Sequence, residues 1–189
     1  MQQVTLLDGM VERTEGHDYF VWLDDVKLGP FPSVTRLLRT DRPWYTEASA
    51  ARGQAVHELT EDFDVQGMVA SPEEYQGYLD AYQGFHRDFG DRLSFDLIEE
   101  PFVARAGGLT YGGTLDRLGA FDGERAVFDI KSGGATKDHA LQLAAYGVPH
   151  GATLGMAIYV KKTGLYKVEV FHDLERLFEE FLGRATDGR

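Results

Sequence analysis

The sequence predicts an α/β protein in which a central mixed β-sheet is flanked by helices, and three observations carry that expectation. Two short apolar runs, 109–118 and 125–131, are joined by Phe121-Asp122-Gly123-Glu124, and Asp-Gly supplies the positive φ angles of a tight hairpin. Helical periodicity covers 46–65 and 73–89 before that hairpin and resumes near Asp138 after it. Two further runs rich in β-formers, 154–160 and 166–171, are linked by Lys161-Lys162-Thr163-Gly164.

Residues 1–16 are turn-rich and carry no assignment. Runs 19–23 and 26–28 read as a hairpin around Asp24-Asp25, with aromatics that pack rather than stack on bases. Gly29-Pro30-Phe31-Pro32 reads as a rigid turn, and Ser33 as the cap of a helix over 34 to about 40. Ser33 and Thr35 at that positive helix end are also candidates to meet a phosphate. The stretch 41–45 breaks the pattern, with Trp44 and Tyr45 as a lid over the core.

The helix over 46–65 sets Gly53 and His57 on one face, four apart. A glycine inside a helix costs about 1 kcal/mol relative to alanine, which predicts a close approach to the backbone there. Ser71-Pro72-Glu73-Glu74 reads as a helix start, with a serine cap and acids in the first turn. Tyr75, Tyr78, Leu79, Tyr82, Phe85, His86 and Phe89 then recur at helical spacing as a core stripe, and Gly90 closes the helix. A strand over 93–104 carries Glu99-Glu100-Pro101 ahead of the hairpin, and an amphipathic helix over 172–182 closes the chain.

Composition bounds the function. At 189 residues the chain is expected to be one domain over 1–189, with a hairpin and helical segment at about 17–92 ahead of a sheet at about 93–171. No run of 18 apolar residues predicts a membrane span. Residues 1–15 lack a secretory pattern, and zero cysteines exclude disulfides and thiolate metal sites, so a cytoplasmic location is expected. The net charge of −12 opposes a broad phosphate-binding surface. Arg36, Arg39, Arg42 and Arg52 fall within 17 positions, however, which predicts a narrow positive groove on an acidic body. Weak non-specific binding, or a protein partner for loading, would follow from that balance.

Chemistry concentrates in the hairpin. Asp116 and Asp129 lie 13 residues apart, each at the end of an apolar run, and Lys131 follows two places on. Residues i and i+2 of a strand share a face, so Asp129 and Lys131 emerge together while Ile130 turns inward. Cross-hairpin pairing can bring Asp116 close to Asp129. Clustered carboxylates suit a hard divalent cation, and an ammonium beside it can stabilise developing negative charge. Polar residues on the wet face of a hairpin are the plainer reading of the same pair.

Taken in order, Gly-x-x-x-His (Gly53 to His57), Gly-Thr-Leu-Asp (Gly113 to Asp116), Asp-Ile-Lys (Asp129 to Lys131) and Gln-x-x-x-Tyr (Gln142 to Tyr146) resemble the motif set of RecB-type nucleases. These belong to the PD-(D/E)XK superfamily, with the lambda-type exonucleases and many restriction enzymes. The resemblance covers roughly residues 30–160 and takes in Pro32-Ser33-Val34-Thr35-Arg36-Leu37-Leu38, which looks like a segment of phage and mitochondrial members. It implies a restriction-endonuclease-like fold and hydrolysis of DNA phosphodiesters with Mg²⁺ or Mn²⁺. His57, Asp116, Asp129, the Ile130 carbonyl and Glu100 would hold the metal; Glu99 and Glu100 both qualify for the family's acidic position, and Glu100 is preferred. Lys131 would position a water or shield charge, and Gln142 and Tyr146 would hold the substrate phosphate or orient Lys131. Ser33, Thr35, Arg36 and Arg52 would contact the DNA substrate, single-stranded or a duplex end. The expected activity is exonucleolytic or end-processing, in DNA replication, recombination or repair in a bacterial or phage-infected cell. The alternative is a non-catalytic nucleic-acid-binding or assembly subunit that keeps the fold; such proteins usually lose an aspartate or the lysine, and both are present here.

Overall fold

The computed structural model describes residues 3–38 and 46–187. In chain order these form strands β1 (Val4–Leu6), β2 (Met10–Arg13), β3 (Tyr19–Leu23) and β4 (Val26–Phe31), then helices α1 (Val34–Leu37), α2 (Glu47–Gln66) and α3 (Glu73–Phe89). Strands β5 (Leu93–Ala106), β6 (Leu109–Phe121) and β7 (Glu124–Lys131) follow, then α4 (Lys137–Gly147), β8 (Leu154–Val160), β9 (Tyr166–Phe171) and α5 (Leu174–Thr186). The fold is α/β. Six strands make the central sheet in the order β1-β5-β6-β7-β8-β9, and β2-β3-β4 make a small second sheet. The central sheet is mixed: β7 and β8 run parallel, joined by the crossover through α4, and the other neighbours run antiparallel.

Both faces of the middle strands are buried, which is why they read as nearly unbroken apolar runs. On β7, Ala126, Phe128 and Ile130 pack with Val56 of α2 and with Tyr82 and Phe85 of α3. Val127 faces the other way, into a layer made with Leu143 of α4 and Phe178 and Phe181 of α5. The aromatic stripe of α3 is core, as its spacing predicts: Tyr78, Leu79, Tyr82 and Phe85 are all buried. The β6–β7 turn has Asp122 at φ 52° and Gly123 at φ 80° between the paired Phe121 and Glu124, the two-residue reversal expected of Asp-Gly.

Residues 1–16, unassigned from sequence, supply two strands. β1 extends the main sheet along β5, and β2 completes the small sheet against β3. That small sheet sits on β5 and β6 through Tyr19, Val21 and Val103. Gly29, Pro30 and Phe31 belong to β4 rather than to a turn. Thr46 and Ser49 form a reciprocal cap at the start of α2, and Gly67 at φ 82° ends it. Ser71 does not cap α3, because its hydroxyl donates to the Pro72 carbonyl instead. Helix α1 is four residues long and is capped by Leu38, short of the helix expected to about residue 40; Arg39, Arg42, Trp44 and Tyr45 lie outside the described residues. Among the described residues, no helix is long and apolar enough to cross a membrane.

Candidate functional site

A fork in the sheet creates the site. β6 pairs with β5 along its length but with β7 only over the end nearest the hairpin, where Arg117↔Phe128 is the last pair. Beyond it β7 leaves β6 and continues beside β8, with Asp129 opposite Ala157 and Lys131 opposite Tyr159. The Ile130 amide donates to Asp116 Oδ2 at 2.6 Å, so the aspartate holds the opening strand edge from across the gap. Asp116 and Asp129, which would be the next pair of the hairpin, therefore stand where the two arms part. Ile130 keeps its side chain in the core under α2 and α3.

Helix α2 brings His57 to this gap. His57 Nδ1 lies 3.5 Å from Asp116 Oδ2 and 3.4 Å from Glu99 Oε1. One ligand atom from each of His57, Glu99 and Asp116 lies within 4.8 Å of the others, a spacing that could hold a metal ion. Burial is the largest influence on Asp116 and pushes its carboxyl up to about 7; His57 and Lys131 pull it down, while Asp129 and Glu99 push it up. Burial works against a charged His57, but Asp116 and the Glu99 contact outweigh it and raise its pKa. Burial would also raise Glu99, yet His57 and Arg117 hold it below the ordinary carboxylate range.

Asp129 has no exposed surface, and its Oδ1 has no hydrogen-bond partner among the described residues. Its Oδ2 lies 2.8 Å from Lys131 Nζ. Lys131 donates to Gln142 Oε1 at 3.2 Å, and Gln142 donates to the Tyr146 hydroxyl at 2.9 Å. Helix α4 thus presents Gln142 to the lysine directly, and Tyr146 steadies the glutamine from one turn further on. Gly113 makes room for this: a β-carbon there would meet Tyr146 Cε1 at 2.7 Å and Phe102 Cε1 at 2.8 Å.

Several expected positions are corrected. Glu100 is exposed on β5, opposite Leu115, and it is Glu99 that reaches His57. Ser33 is buried and its hydroxyl accepts from the Arg36 amide, while Thr35 is exposed on a helix too short to offer a phosphate site. Arg36 is committed to Asp18 at 2.6 Å and to the Gly16 carbonyl, so it does not join a groove of free cations. Arg52 does come to the site, donating to Ser132 next to Lys131 at 3.4 Å. Gly53 has open space around its α-carbon among the described residues, so no close approach within the chain explains it.

Sequence reasoning missed Arg117. It follows Asp116 directly and is wholly buried, with Nε 2.6 Å from Asp64 Oδ2 and Nη1 3.0 Å from Glu99 Oε1. Tyr82 also donates to Asp64, and His86 Nε2 lies 3.0 Å from its other oxygen. His57, Thr60 and Asp64 stand at i, i+3 and i+7 of α2, one face of that helix, and that spacing is the signal that could have found the network.

Compared with known proteins, the chain matches no family of the kind defined by sequence, and no curated protein resembles it significantly. Among solved structures, it is similar to the crystal structure of SSO0001, with a TM-score of 0.35 and 15% identity over 77% of this chain and 79% of that one. A likeness at that level carries no argument about activity.

Proposed function

We propose that this chain is a RecB-type nuclease of the PD-(D/E)XK superfamily with a restriction-endonuclease-like fold, hydrolysing DNA phosphodiester bonds with Mg²⁺ or Mn²⁺. One observation carries the reading. The four separate sequence motifs come together at the fork: His57 from α2, Asp116 from β6, Asp129 and Lys131 from β7, and Gln142 with Tyr146 from α4.

The donor set fits a hard cation. It offers one imidazole nitrogen and carboxylate oxygens, which suit Mg²⁺ and Mn²⁺ far better than soft metals. Burial raises the Asp116 carboxyl to about 7, and among the described residues Asp129 Oδ1 is buried without a donor; a cation held between them would offset both. His57, Asp116 and Asp129 would hold the ion, with Glu99 in the acidic position and the Ile130 carbonyl as a further oxygen. A bound ion of this kind polarises a phosphate and lowers the pKa of a coordinated water. Lys131, kept in place by Asp129 and Gln142, would place its ammonium beside the phosphate oxygens and shield their growing charge. Arg52 at Ser132 would contact the DNA backbone.

A substrate end or single strand, a protein partner that loads the enzyme, a cytoplasmic location and a role in replication, recombination or repair complete the proposal. The test is end-labelled single- and double-stranded DNA incubated with Mg²⁺, Mn²⁺ or EDTA. Cleavage is expected with either ion and not with EDTA, and Lys131→Ala should abolish it with the fold intact. Undiminished cleavage by Lys131→Ala refutes the assignment. Binding without cleavage by the wild-type chain would favour a non-catalytic subunit.

A further inference from the structure

The chain has 31 acidic residues against 19 lysines and arginines, and most of its described arginines are ion-paired to a neighbouring carboxylate. Among the described residues, three are not: Arg13, Arg52 and Arg105 donate instead to the hydroxyls of Thr114, Ser132 and Thr110. Two of these three stand at the fork. Ser132 follows Lys131 on the β7 arm, and Thr114 precedes Asp116 by two residues on the β6 arm, about 6–7 Å along the strand. Each arm of the fork therefore carries one arginine without a carboxylate, in a protein whose acids neutralise most of the others.

The position of Arg13 is built into the packing. Arg13 and Tyr19 are cross-strand partners in the small sheet, and both reach Thr114, at 3.4 Å and 3.0 Å. The Tyr19 side chain lies against Gly112, where a β-carbon would come within 2.2 Å of its Cγ. The Gly112 amide donates to the Pro32 carbonyl at 3.0 Å, so the segment leaving the small sheet is tied to the same strand. Burial raises the Tyr19 phenol, with Thr114 and Arg13 acting against that shift and Glu99 with it.

We infer that the small N-terminal sheet forms one wall of the substrate channel and that Arg13 anchors a backbone phosphate of a nucleic-acid strand, on the arm of the fork across from Arg52. This rests on the nuclease reading and extends it to a part of the chain outside the four motifs. An arginine fork suits a phosphate because its planar donors match two oxygens at once. Two anchors on separate arms would hold the strand on both sides of the reacting phosphate.

The experiment is anisotropy of a labelled single-stranded DNA against KCl concentration, in Ca²⁺, with the oligonucleotide shown intact afterwards. The proteins are wild type, Arg13→Gln, Arg13→Lys and Arg105→Gln. Removing one phosphate contact should lower the slope of log affinity against log salt by about 0.7 and weaken binding roughly fivefold at 0.1 M salt. Arg13→Gln should show that change and Arg13→Lys should recover most of it, while Arg105→Gln, whose partner Thr110 lies six positions from Asp116, should match wild type. An unchanged slope and affinity in Arg13→Gln overturns the inference while leaving the nuclease reading intact. So does an equal loss in Arg105→Gln, since the effect would then be general charge. A wild-type chain that neither binds nor cuts DNA overturns the nuclease reading itself.

Discussion

Replacing Asp116 with asparagine should flatten the pH dependence of stability of the metal-free protein. Asp116 is 6% exposed, and burial lifts its carboxyl from 3.8 to about 7. An acid raised in this way adds stability that is fully present below its unfolded value and lost as pH climbs through the folded one. At about 1.36 kcal/mol per pH unit, the window from 3.8 to about 7 corresponds to roughly 4 kcal/mol. His57, also raised, acts in the same direction above its ordinary 6.5. Glu99, lowered, opposes them only on the acid side: its contribution is present above 4.5 and fades as pH falls through its folded value. Metal-free wild type should therefore be most stable at about pH 4–5 and lose several kcal/mol by pH 8. Urea unfolding in EDTA at pH 4.5 and 8, followed by circular dichroism, measures most of the loss, and Asp116→Asn should show less than half of it. Saturating Mn²⁺ should restore wild-type stability at pH 8, because a divalent cation supplies the counter-charge that protonation supplies at low pH. Equal pH slopes in wild type and Asp116→Asn would refute the argument.

Arg117→Met should destabilise the protein by about 3–5 kcal/mol in urea, since it leaves Asp64, 2% exposed at its side chain, charged and buried; adding Asp64→Asn should recover part of that loss. Gly53→Ala should raise stability by about 0.5–1 kcal/mol, there being nothing among the described residues within 4 Å of the new methyl. Gly77→Ala, also inside a helix, should cost about 1–3 kcal/mol, because its β-carbon would lie 1.8 Å from the Lys162 carbonyl oxygen; thermal unfolding of the pair compares both signs. Glu99→Gln should weaken Mn²⁺ binding by calorimetry at least tenfold, and Glu100→Gln should leave it unchanged.

The elements with strong local signals were legible. Asp122-Gly123 announced the central hairpin, and α3 carried its aromatic stripe at helical spacing. β8 and β9 were readable to the residue because both faces of β8 are apolar and glycine marks the turn between them. Long-range partners were not legible. β1 is three residues whose only distinction is an edge of β5 to pair with, and nothing in Val4-Thr5-Leu6 says so locally. Ser71 looked like a cap from its neighbours, but capping depends on the direction of a hydroxyl, and here it points to a carbonyl. Arg36 looked like part of a basic cluster because charge spacing along a chain says nothing of the acids that fold against it.

The site shows the same division, and Glu99 shows its physical cause. Gly113, Asp116, Asp129, Lys131, Gln142 and Tyr146 could be found because each belongs to a short motif whose spacing is local. Choosing between Glu99 and Glu100 required strict strand alternation, and alternation fails at that point. Leu115 and Leu118, three positions apart, both enter the layer under α4 and α5, so β6 changes face across Asp116 and Arg117. Opposite them, Glu99 holds φ at 50°, a conformation costly for a residue with a side chain. What over-determines it is Arg117, which grips Glu99 with one nitrogen and Asp64 with another. The break in the strand and the buried arginine are thus one device: the turnover sends Arg117 to α2 and α3, leaves Asp116 in the fork, and holds Glu99 where His57 arrives. No single strand's sequence could announce it, because the residues that make the turnover worthwhile lie on two helices and a neighbouring strand.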